Sequence, residues 1–553
     1  MKVLSSKLSP STRSEAIADL AINDFDILVI GGGINGVGIA LDAASRGLSV
    51  ALVEEKDFAS GTSSRSSKLI HGGLRYLEQY DFKLVREALQ ERELMITTIA
   101  PHLVQPVSFI YPLQEKFKER TYVGAGMALY DALRGFKRAL PWHKHISQKE
   151  LSEIAPSLRL DLITGGYKYF DAQVDDARHT MMIARTAAKY GAVITTRTRV
   201  EEVKRDGKRV IGAIVRDLEN EKLIEVKAKV TVMAAGVWTD QLYEDFGIKA
   251  GYEVRMSKGA HIVVPGSAIR SKTGVIIKTD ISVLFIIPWG DKWIVGTTDT
   301  DYEADPNTPI ATRNDVNYII NQANRVLEPK LNQSQVIGVF AGLRPLISTN
   351  EDSKTTDLSR EHVVDHPVPG FVSIAGGKYT TYRVMAEDAI NAAVVDLKRL
   401  TPDSCTESLA IVGADGYSVL KNQKAAIAKS YGISEATFEH LLNRYGSLFV
   451  EVLEAAKSDE KLALPISTQL PYVGAEILYA VTHEGALSVS DVMNRRTRIN
   501  FEAPDQGRSI LETVAEIMAK PLGWSKADMK KSISEYISEI DFQEKALQHA
   551  LVN

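Results

Sequence analysis

Residues 26–36 read Asp-Ile-Leu-Val-Ile-Gly-Gly-Gly-Ile-Asn-Gly, and this stretch decides the fold. An apolar run of strand length leads into a G-x-G-x-x-G turn made by Gly31, Gly33 and Gly36, and residues 37–46 continue with the pattern of a helix. Gly31 permits the tight turn, Gly33 lets the backbone approach a pyrophosphate, and Gly36 allows close packing of helix on strand. The stretch therefore predicts a Rossmann-type unit that binds a dinucleotide.

An acidic residue follows the second strand of this unit. Residues 49–53 are mostly apolar and end at Glu54, about 20 residues after Gly33, where an acid binds the ribose hydroxyls of adenosine. Strand, glycines, helix and acid together favour a bound dinucleotide over a glycine-rich turn that holds no ligand. The fingerprint alone does not distinguish NAD from FAD.

Three later segments favour FAD. Residues 61–73 are rich in hydroxyl groups and glycine, and residues 230–238 form a strand that ends in small residues. Residues 371–381 join a strand to two glycines and a threonine-capped helix start. Each segment alone is as consistent with an ordinary loop or helix cap, but their occurrence behind the N-terminal fingerprint favours a flavin.

The composition excludes several classes of function. The chain has 553 residues, of which 44% are hydrophobic and 25% charged, as in an ordinary globular protein. Its net charge of −4 gives no basic excess for bulk binding of nucleic acid. The single cysteine, Cys405, cannot form an intrachain disulfide or a cysteine-based metal site. We expect no metal, no nucleic-acid partner and a reducing, cytoplasmic location.

The pattern of residues divides the chain into three parts. Residues 1–23 form an N-terminal extension that lacks the apolar stretch of a secretory signal. Over residues 24–400, strands and helices alternate, and many β-branched residues indicate a second sheet, placed mostly within 75–190 and 245–350. Residues 401–553 show helical spacing. The predicted fold class is α/β: an FAD-binding Rossmann-type domain interleaved with a mixed β-sheet substrate (cap) domain, plus an all-α C-terminal domain.

Several runs strongly resemble the FAD-dependent glycerol-3-phosphate dehydrogenases of the aerobic, respiratory type. They are GGGINGVGIALDAASRGLSV (31–50), FASGTSSRSSKLIHGGLRYLEQY (58–80), KGAHIVVP (258–265), GTTDTDY (296–302), FAGLRPL (340–346) and GGKYTTYR (376–383). The SSKLIHGGLRYLE run is the most specific, because a generic flavoprotein would share only the first motif. The resemblance implies oxidation of sn-glycerol 3-phosphate to dihydroxyacetone phosphate by hydride transfer to FAD. Electrons would pass to a quinone or, in some members, to oxygen.

Motifs and resemblance together give the expected cofactor-binding residues. They are Gly31, Gly33, Asn35, Gly36, Glu54, Thr62, Ser63, Ser64, Ser66, Ser67, Lys68, Leu69, His71, Gly72, Gly73, Val200, Ala235, Gly236, Trp238, Gly377, Lys378, Thr380 and Thr381. We expect one non-covalent FAD per chain, because Cys405 lies outside these motifs, although a histidyl link stays open.

A phosphate monoester dianion requires several fixed cations or amides. Arg75 and Arg344 are flanked by glycine and apolar residues, which indicates burial, and a buried arginine needs an anion. The resemblance places Arg75 and Tyr76 over the substrate side of the flavin. It places Arg344 and Lys378 in the substrate pocket, and Arg360 matches a phosphate-contacting arginine. The alternative for any single arginine is a solvated surface charge.

Oxidation of the C2 hydroxyl needs a base within hydrogen-bond reach of its proton. His261 is the first candidate, because an imidazole titrates near neutral pH, and a structural strand histidine is the equal alternative. His71 is the second candidate, although its neighbours suggest a flavin contact. The predicted catalytic residues are Arg344, His261 and Lys378, and the predicted substrate-binding residues are Arg75, Tyr76, Thr298 and Arg360.

Other functions stay open at this point. A glycerol-3-phosphate oxidase would reduce oxygen instead of a quinone. A flavin oxidase of the amino-acid or 2-hydroxy-acid type shares the architecture, but it would hold a monoanionic carboxylate with fewer cations. A catalytically silent FAD-binding scaffold is disfavoured by Arg75, Arg344 and Lys378. The sequence also leaves a homodimer open.

Residues 116–145 suggest an anionic membrane surface as a partner. Basic and aromatic residues occur together there, as at peripheral membrane helices. The cations are Lys116, Lys118, Arg120, Arg134, Lys137, Arg138 and Lys144. We therefore expect peripheral binding to the inner face of the cell membrane. The equal alternative is that the apolar face packs inside the protein and the cations are merely solvated.

A second basic run, Arg495, Arg496 and Arg498, lies in the C-terminal part, where VMNRRTRI (492–499) resembles the same family more loosely. A solvated helix face is the default interpretation, and an interdomain network of ion pairs is the alternative.

Overall fold

The computed structural model describes residues 5–135, 139–279, 282–348, 361–457 and 459–548. The strands are β1 (Asp24–Ile30), β2 (Val50–Val53), β3 (Leu69–Ile70), β4 (Gln105–Leu113), β5 (Lys144–Ser147), β6 (Gly165–Gln173), β7 (Val193–Thr195), β8 (Thr198–Asp206), β9 (Arg209–Asp217), β10 (Lys222–Met233), β11 (Glu253–Pro265), β12 (Gly274–Lys278), β13 (Val283–Trp289), β14 (Lys292–Gly296), β15 (Thr300–Asp301), β16 (Gly338–Ser348), β17 (His362–Val368) and β18 (Phe371–Gly376). The α-helices are α1 (Pro10–Ile22), α2 (Ile34–Ser45), α3 (Arg75–Glu78), α4 (Phe82–Leu94), α5 (Lys118–Leu133), α6 (Gln148–Ile154), α7 (Asp176–Lys189), α8 (Thr239–Asp245), α9 (Arg313–Ala323), α10 (Tyr382–Leu397), α11 (Tyr417–Asn422), α12 (Lys424–Tyr431), α13 (Glu435–Tyr445), α14 (Phe449–Ala456), α15 (Gly474–Glu484), α16 (Val489–Asp491), α17 (Ile499–Glu502), α18 (Leu511–Leu522) and α19 (Lys526–Gln548).

The first sheet is built around β1. Strands β18, β10, β1, β2 and β7 run parallel in that order, β17 closes one edge, and a β8–β9 hairpin pairs with the first half of β10. Helices α2, α7 and α10 share one apolar cluster with β1 and β2 on one face of the sheet. The strand β1 is buried on both faces, as expected for a central parallel strand. This arrangement confirms the predicted Rossmann-type domain.

The second sheet is mixed, as predicted, and mostly antiparallel. Its strands run in the order β15-β11-β14-β13-β12-β4-β6-β3, with β16 paired to β11 and β5 paired to β6. Only the β12–β4 pair, among the described strands of this sheet, is parallel. These strands come from two stretches of chain, 69–173 and 253–348, so the chain leaves the first sheet twice and returns to it. Helices α6 and α9 pack on one face of this sheet, and α4 and α5 on the other.

The residues after 404 are helical in every described regular element, from α11 to α19. Two apolar clusters organise this part, one around Phe438 and Tyr445 and the other around Val492 and Met518. The predicted all-α C-terminal domain is therefore confirmed.

The expectation of a solvated basic helix face at Arg495, Arg496 and Arg498 is wrong, and the alternative holds. All three arginines are buried against the FAD-side domain. Arg496 pairs with Asp57 (Nη2–Oδ1 2.7 Å) and Arg498 with Asp175 (Nη2–Oδ1 2.6 Å). A buried guanidinium requires such anions, which explains why the basic run lies at an interface and not in solvent.

The segment 116–145 combines both interpretations given for it. Val123 and Met127 of α5 pack inside, whereas Phe117 and Tyr122 are 83% and 65% exposed. Arg134, expected as a surface cation, is buried instead, and it donates to the carbonyl groups of residues 140 and 141. Lys137 and Arg138 lie outside the described residues. Within the described chain, no helix has the length and apolar content needed to cross a bilayer.

Candidate active site

A cavity of about 520 Å³ crosses the carboxyl ends of β18, β10, β1 and β2. The residues that follow these strands line it: Gly377 after β18, Ala234 after β10, Gly31 after β1 and Glu54 after β2. Ligands of open parallel sheets bind at this edge, because the loops and helix N-termini converge there. The cavity is therefore the candidate site.

The glycine turn after β1 is shaped for close approach. Gly31 has φ +112°, and a Cβ atom there would lie 2.6 Å from the carbonyl oxygen of Ala234. A Cβ atom on Gly36 would clash with the backbone of Gly31, so Gly36 serves helix packing and does not line the cavity. The N–H of Ile34, at the start of α2, donates to Ser63 Oγ (2.9 Å). The glycine turn and Asn35 line the cavity beside this bond, so the N-terminus of α2 faces the place where a pyrophosphate would bind.

Glu54 is held at the end of β2 by two backbone amides. Gly32 N–H donates to Oε2 (2.6 Å) and Lys56 N–H donates to Oε1 (2.8 Å). Burial raises the pKa of this carboxyl group, although both amides favour its charged form. Its position beside the glycine turn suits the hydroxyls of an adenosine ribose.

The donor set fits FAD. The amide groups at the start of α2 suit the pyrophosphate, and Glu54 suits the ribose. Gly236 (φ +59°) and Gly377 (φ +76°) line the same cavity; a Cβ atom at Gly236 would point into open space, whereas one at Gly377 would clash with Met385. The cavity volume lies in the range of ordinary cofactor pockets.

Arg344 enters the cavity from β16 and is fixed by polar groups of neighbouring strands. Its Nη2 donates to Thr297 Oγ1 (3.0 Å), and its Nη1 lies 3.3 Å from both Asp299 Oδ1 and Ser257 Oγ. A side chain on Gly259 would overlap the guanidinium, so this glycine makes room for it. These contacts hold Arg344 in one orientation at the cavity wall.

Two further cations surround the same end of the site. Lys378 lines the cavity, and its Nζ lies 3.7 Å from the centre of the Tyr76 ring. Arg75 does not line the cavity. Its Nη1 donates to Ser282 Oγ (2.6 Å) and lies 3.8 Å from Asp299 Oδ2. Arg75 and Arg344 therefore share the carboxylate of Asp299.

His261 is a buried wall residue, 1% exposed. Its Nε2 is 2.9 Å from Ser67 Oγ, and its ring stacks on Phe340 at 4.7 Å between centroids. Nδ1 has no hydrogen-bond partner among the described residues. Burial, assisted by Arg344 and Lys68, lowers the pKa of His261 well below its usual value. The imidazole is therefore neutral near pH 7 and able to accept a proton.

His71 also lines the cavity as a neutral imidazole. Burial, together with Lys378 and Arg92, lowers its pKa to about 3. Its backbone N–H donates to Thr380 Oγ1 (3.3 Å), which joins the glycine-rich loop to the segment that precedes α10. His71 thus lies in the cavity wall, and its contact with the cofactor stays a prediction.

The cavity brings together most of the predicted site residues. From the expected catalytic and substrate-binding sets, it is lined by Tyr76, His261, Arg344 and Lys378. From the expected cofactor set, it is also lined by Gly31, Gly33, Asn35, Glu54, Thr62, Ser63, Ser66, Ser67, Leu69, His71, Val200, Ala235, Gly236, Trp238, Gly377 and Thr380.

The other predicted residues lie elsewhere. Lys68 is turned into the interdomain interface, where its Nζ pairs with Asp176 (3.0 Å) and the carbonyl group of Ser64 (3.1 Å). The Thr298 hydroxyl accepts the N–H of Ala260 (2.9 Å) and is committed to the sheet. Those outside the cavity wall are Gly36, Ser64, Lys68, Gly72, Gly73, Arg75, Thr298 and Thr381. Arg360 falls outside the described residues.

Sequence reasoning missed the residues that hold these groups. Thr297 and Asp299 fix Arg344, and both belong to the GTTD run, so their position beside Thr298 was an available signal. Phe340, which stacks on His261, begins the FAGLRPL run. Asp176, which binds the loop that carries Ser66, lies in no quoted motif, and nothing local marked it.

Comparisons with known proteins agree with this geometry. The family model described as FAD dependent oxidoreductase matches residues 26–383, and the model described as C-terminal domain of alpha-glycerophosphate oxidase matches residues 404–529. A glycerol-3-phosphate dehydrogenase 2 of Mycobacterium tuberculosis is 48% identical over 534 residues. The match covers 97% of this chain and 91% of the length of that relative. The mitochondrial glycerol-3-phosphate dehydrogenase of Homo sapiens is 36% identical, covering 94% and 74% respectively.

The fold is similar to a solved structure as well. The glycerol-3-phosphate dehydrogenase of Bacillus halodurans, complexed with FAD, has a TM-score of 0.79 at 29% identity and covers 100% of this chain and 99% of its own. A glycine oxidase of Bacillus cereus, at 18% identity and a TM-score of 0.51, shares the fold alone. By its sequence relatives, its domain pair and its cofactor cavity, the chain belongs to the FAD-dependent glycerol-3-phosphate dehydrogenases.

Proposed function

We propose that this chain oxidises sn-glycerol 3-phosphate to dihydroxyacetone phosphate and that the electrons are passed on to a quinone. One observation carries the proposal: Arg344, Lys378 and a neutral His261 line the same cavity as the dinucleotide fingerprint. A dianionic substrate and a hydroxyl to be deprotonated need this combination of charges.

Arg344 and Lys378 bind the phosphate group of the substrate in this proposal. A guanidinium presents a planar fork that matches phosphate oxygens, and Asp299 and Thr297 already hold it in place. Lys378 adds a second charge from the segment before α10. Arg75 contributes from behind Asp299, through the field at the site and not by contact.

His261 takes the proton of the C2 hydroxyl. Its Nε2 is hydrogen-bonded to Ser67 Oγ, which also lines the cavity, whereas Nδ1 is buried without a partner among the described residues. FAD, when bound in the cavity, supplies the acceptor for the hydride that leaves C2. The residues of the chain thus orient the substrate, exclude water and move the proton.

The quinone is the proposed acceptor because of the outer face of α5. Tyr122 of α5 and Phe117, the residue just before the helix, are exposed beside Lys118 and Arg120, and such a surface suits the anionic interface of a bilayer. A quinone dissolves in the same bilayer. Peripheral binding to the cytoplasmic side of the membrane would bring enzyme and acceptor together.

Steady-state turnover tests the proposal. We expect the purified protein to oxidise sn-glycerol 3-phosphate with a dye acceptor and with a short-chain quinone, and to turn over far more slowly with oxygen alone. Glycerol, which lacks the phosphate, should be a poor substrate at the same concentrations. Equal rates with oxygen alone would make the protein an oxidase, and turnover of amino acids or 2-hydroxy acids only would refute the substrate.

A further inference from the structure

A buried ionic cluster joins the C-terminal domain to the loop of residues 61–73, the cofactor loop. Arg498 reaches across the interface and donates to Asp175 Oδ1 from Nε (2.9 Å) and Nη2 (2.6 Å). The same Nη2 donates to Asp176 Oδ1. Arg498 and Asp176 are 1% and 0% exposed, so water does not screen these contacts.

Asp176 in turn holds the loop that follows the first βαβ unit. Its Oδ2 accepts the N–H (3.0 Å) and the hydroxyl (2.7 Å) of Ser66, and its Oδ1 accepts the ammonium of Lys68 (3.0 Å). Lys68 Nζ and Arg498 Nη1 both donate to the carbonyl group of Ser64, at 3.1 and 3.3 Å. Asp176 and Arg498 thus fix the loop at residues 64, 66 and 68.

The backbone of the loop depends on these contacts. Lys68 has φ +59°, a left-handed conformation that a lysine adopts only when its surroundings enforce it. The pairing of its ammonium with Asp176 and the hydrogen bond from Val174 N–H to its carbonyl group (2.9 Å) supply that constraint. Loss of Asp176 or its partners would release the loop.

The same loop carries the partner of the proposed base. Ser67, between the two fixed residues, is hydrogen-bonded to His261 Nε2 (2.9 Å) and thereby fixes the orientation of the ring. Lys68 Nζ also lies 4.8 Å from the Phe340 ring, on which His261 stacks. The charged groups that act on His261 are therefore Arg344 from β16 and Lys68 from this loop.

We propose that the C-terminal domain completes the active site: Arg498, acting through Asp176, is a positioning residue that fixes the 64–68 loop so that Ser67 orients His261. This inference rests on the proposed function, because it assigns His261 the role of the base. On this proposal the helical C-terminal domain takes part in catalysis, in addition to packing against the Rossmann-type domain.

A plain interdomain clamp is the competing explanation. A clamp would affect the melting temperature alone, whereas a positioning residue also changes turnover, its pH dependence and the surroundings of the bound flavin. Three readouts separate the two: kcat against KM for sn-glycerol 3-phosphate, the acid limb of kcat/KM, and the visible circular dichroism of bound FAD without substrate.

Arg498→Met in the holoenzyme is the first test. We expect kcat to fall about 10- to 100-fold with little change in KM, the range that small misplacements of catalytic groups produce. The acid limb should move to higher pH, because a displaced Lys68 no longer depresses the pKa of His261. Arg508→Met, in an exposed ion pair with Asp541 of the same domain, should leave all three readouts unchanged.

Ser66→Ala keeps the test valid if Arg498→Met does not fold, since it removes only one hydroxyl from the Asp176 contact. It should lower kcat in the same manner, and Ser66→Thr should restore part of the loss. In the double variant the two losses should be less than multiplicative, because both act through Asp176. Variants that lower only the melting temperature, or losses that multiply, overturn the inference. An inactive wild-type enzyme would instead refute the proposed function, while the flavin dichroism still reports on the loop.

Discussion

His261 is neutral because the protein places it between cations and away from water. Burial opposes the charged imidazolium, and Arg344 and Lys68 oppose it further, so the pKa falls well below its usual 6.5. As the pH falls, the proposed base is therefore lost only when the pH passes this lowered value. At neutral pH His261 is unprotonated.

We expect the acid limb of kcat/KM for sn-glycerol 3-phosphate to lie below pH 6.5. His261→Gln should lower kcat by about 10²- to 10⁴-fold, as loss of a general base does, and should abolish this limb while FAD stays bound. The measurement is a pH series of kcat/KM with the flavin absorbance as control. A limb at or above the ordinary histidine range would contradict the assignment of His261.

Substitutions of Arg344 test whether the substrate carries a phosphate charge. A charge-assisted contact to phosphate contributes about 1.5–3 kcal/mol, so Arg344→Ala should reduce kcat/KM about 10- to 150-fold while FAD remains bound. Arg344→Lys should restore little, because a lysine cannot span both Asp299 and Thr297. Arg216→Ala, in a surface pair with Glu201, is the matched control. Normal efficiency of the alanine variant would remove Arg344 from the site.

At the scale of elements, α5 serves two environments. Its inner face packs Val123, Met127 and Tyr130 beside the second sheet, and Tyr130 Oη accepts the N–H of Gly72 in the cofactor loop (2.9 Å). Gly124 lets the helix lie against Tyr167, where a side chain would clash. The outer face keeps large apolar groups in contact with water, which is unfavourable unless another surface covers them.

Flotation with liposomes tests that outer face. We expect binding to vesicles that contain anionic lipid, weaker binding as salt rises, and little binding to neutral vesicles. The double variant Phe117→Ser/Tyr122→Ser should lose most of the binding, whereas Tyr190→Ser, at another exposed aromatic, should not. If the wild-type protein stays with the soluble fraction at low salt, the membrane proposal fails and a soluble acceptor becomes the better choice.

The sequence predicted the elements of this fold better than the contacts between them. Strands such as β1 and β2 were foreseen because their apolar runs and glycine punctuation are local signals. The partner of Lys68 was not foreseen, because Asp176 lies 108 residues away in the sequence and in no motif. Motifs identify residues near a site, but they do not show which way a side chain points. Arg344 points into the cavity, whereas Lys68 points into the interdomain interface.

At the scale of the whole molecule, buried ion pairs join the C-terminal domain to the rest of the chain. Asp57, in the loop after β2, is 1% exposed and binds two arginines of the C-terminal domain. Arg495 Nε lies 2.5 Å from Oδ2, and Arg496 Nη2 lies 2.7 Å from Oδ1. In such a site the partner left behind determines the cost of removing a charge.

Asp57→Asn should therefore destabilise the protein more than Arg496→Met does. The first variant leaves Arg496 without a carboxylate partner and Arg495 with Asp491 alone, and breaking a buried pair costs about 3–5 kcal/mol. The second leaves Asp57 still paired with Arg495 and should cost less. Asp541→Asn removes a surface partner of Arg508 and should cost less than about 1 kcal/mol.

Urea unfolding of the three holoproteins, followed by helical circular dichroism and by flavin fluorescence, measures this order. Because the charges lie between the domains, Asp57→Asn should lower the midpoint urea concentration of both signals together. A defect confined to the C-terminal helices would lower only the midpoint of the helical signal. An Asp57→Asn variant as stable as Asp541→Asn would mean that water enters the interface and screens these arginines. The C-terminal domain would then be held chiefly by its apolar contacts, and exchange of its ion pairs for apolar pairs should leave the assembly intact.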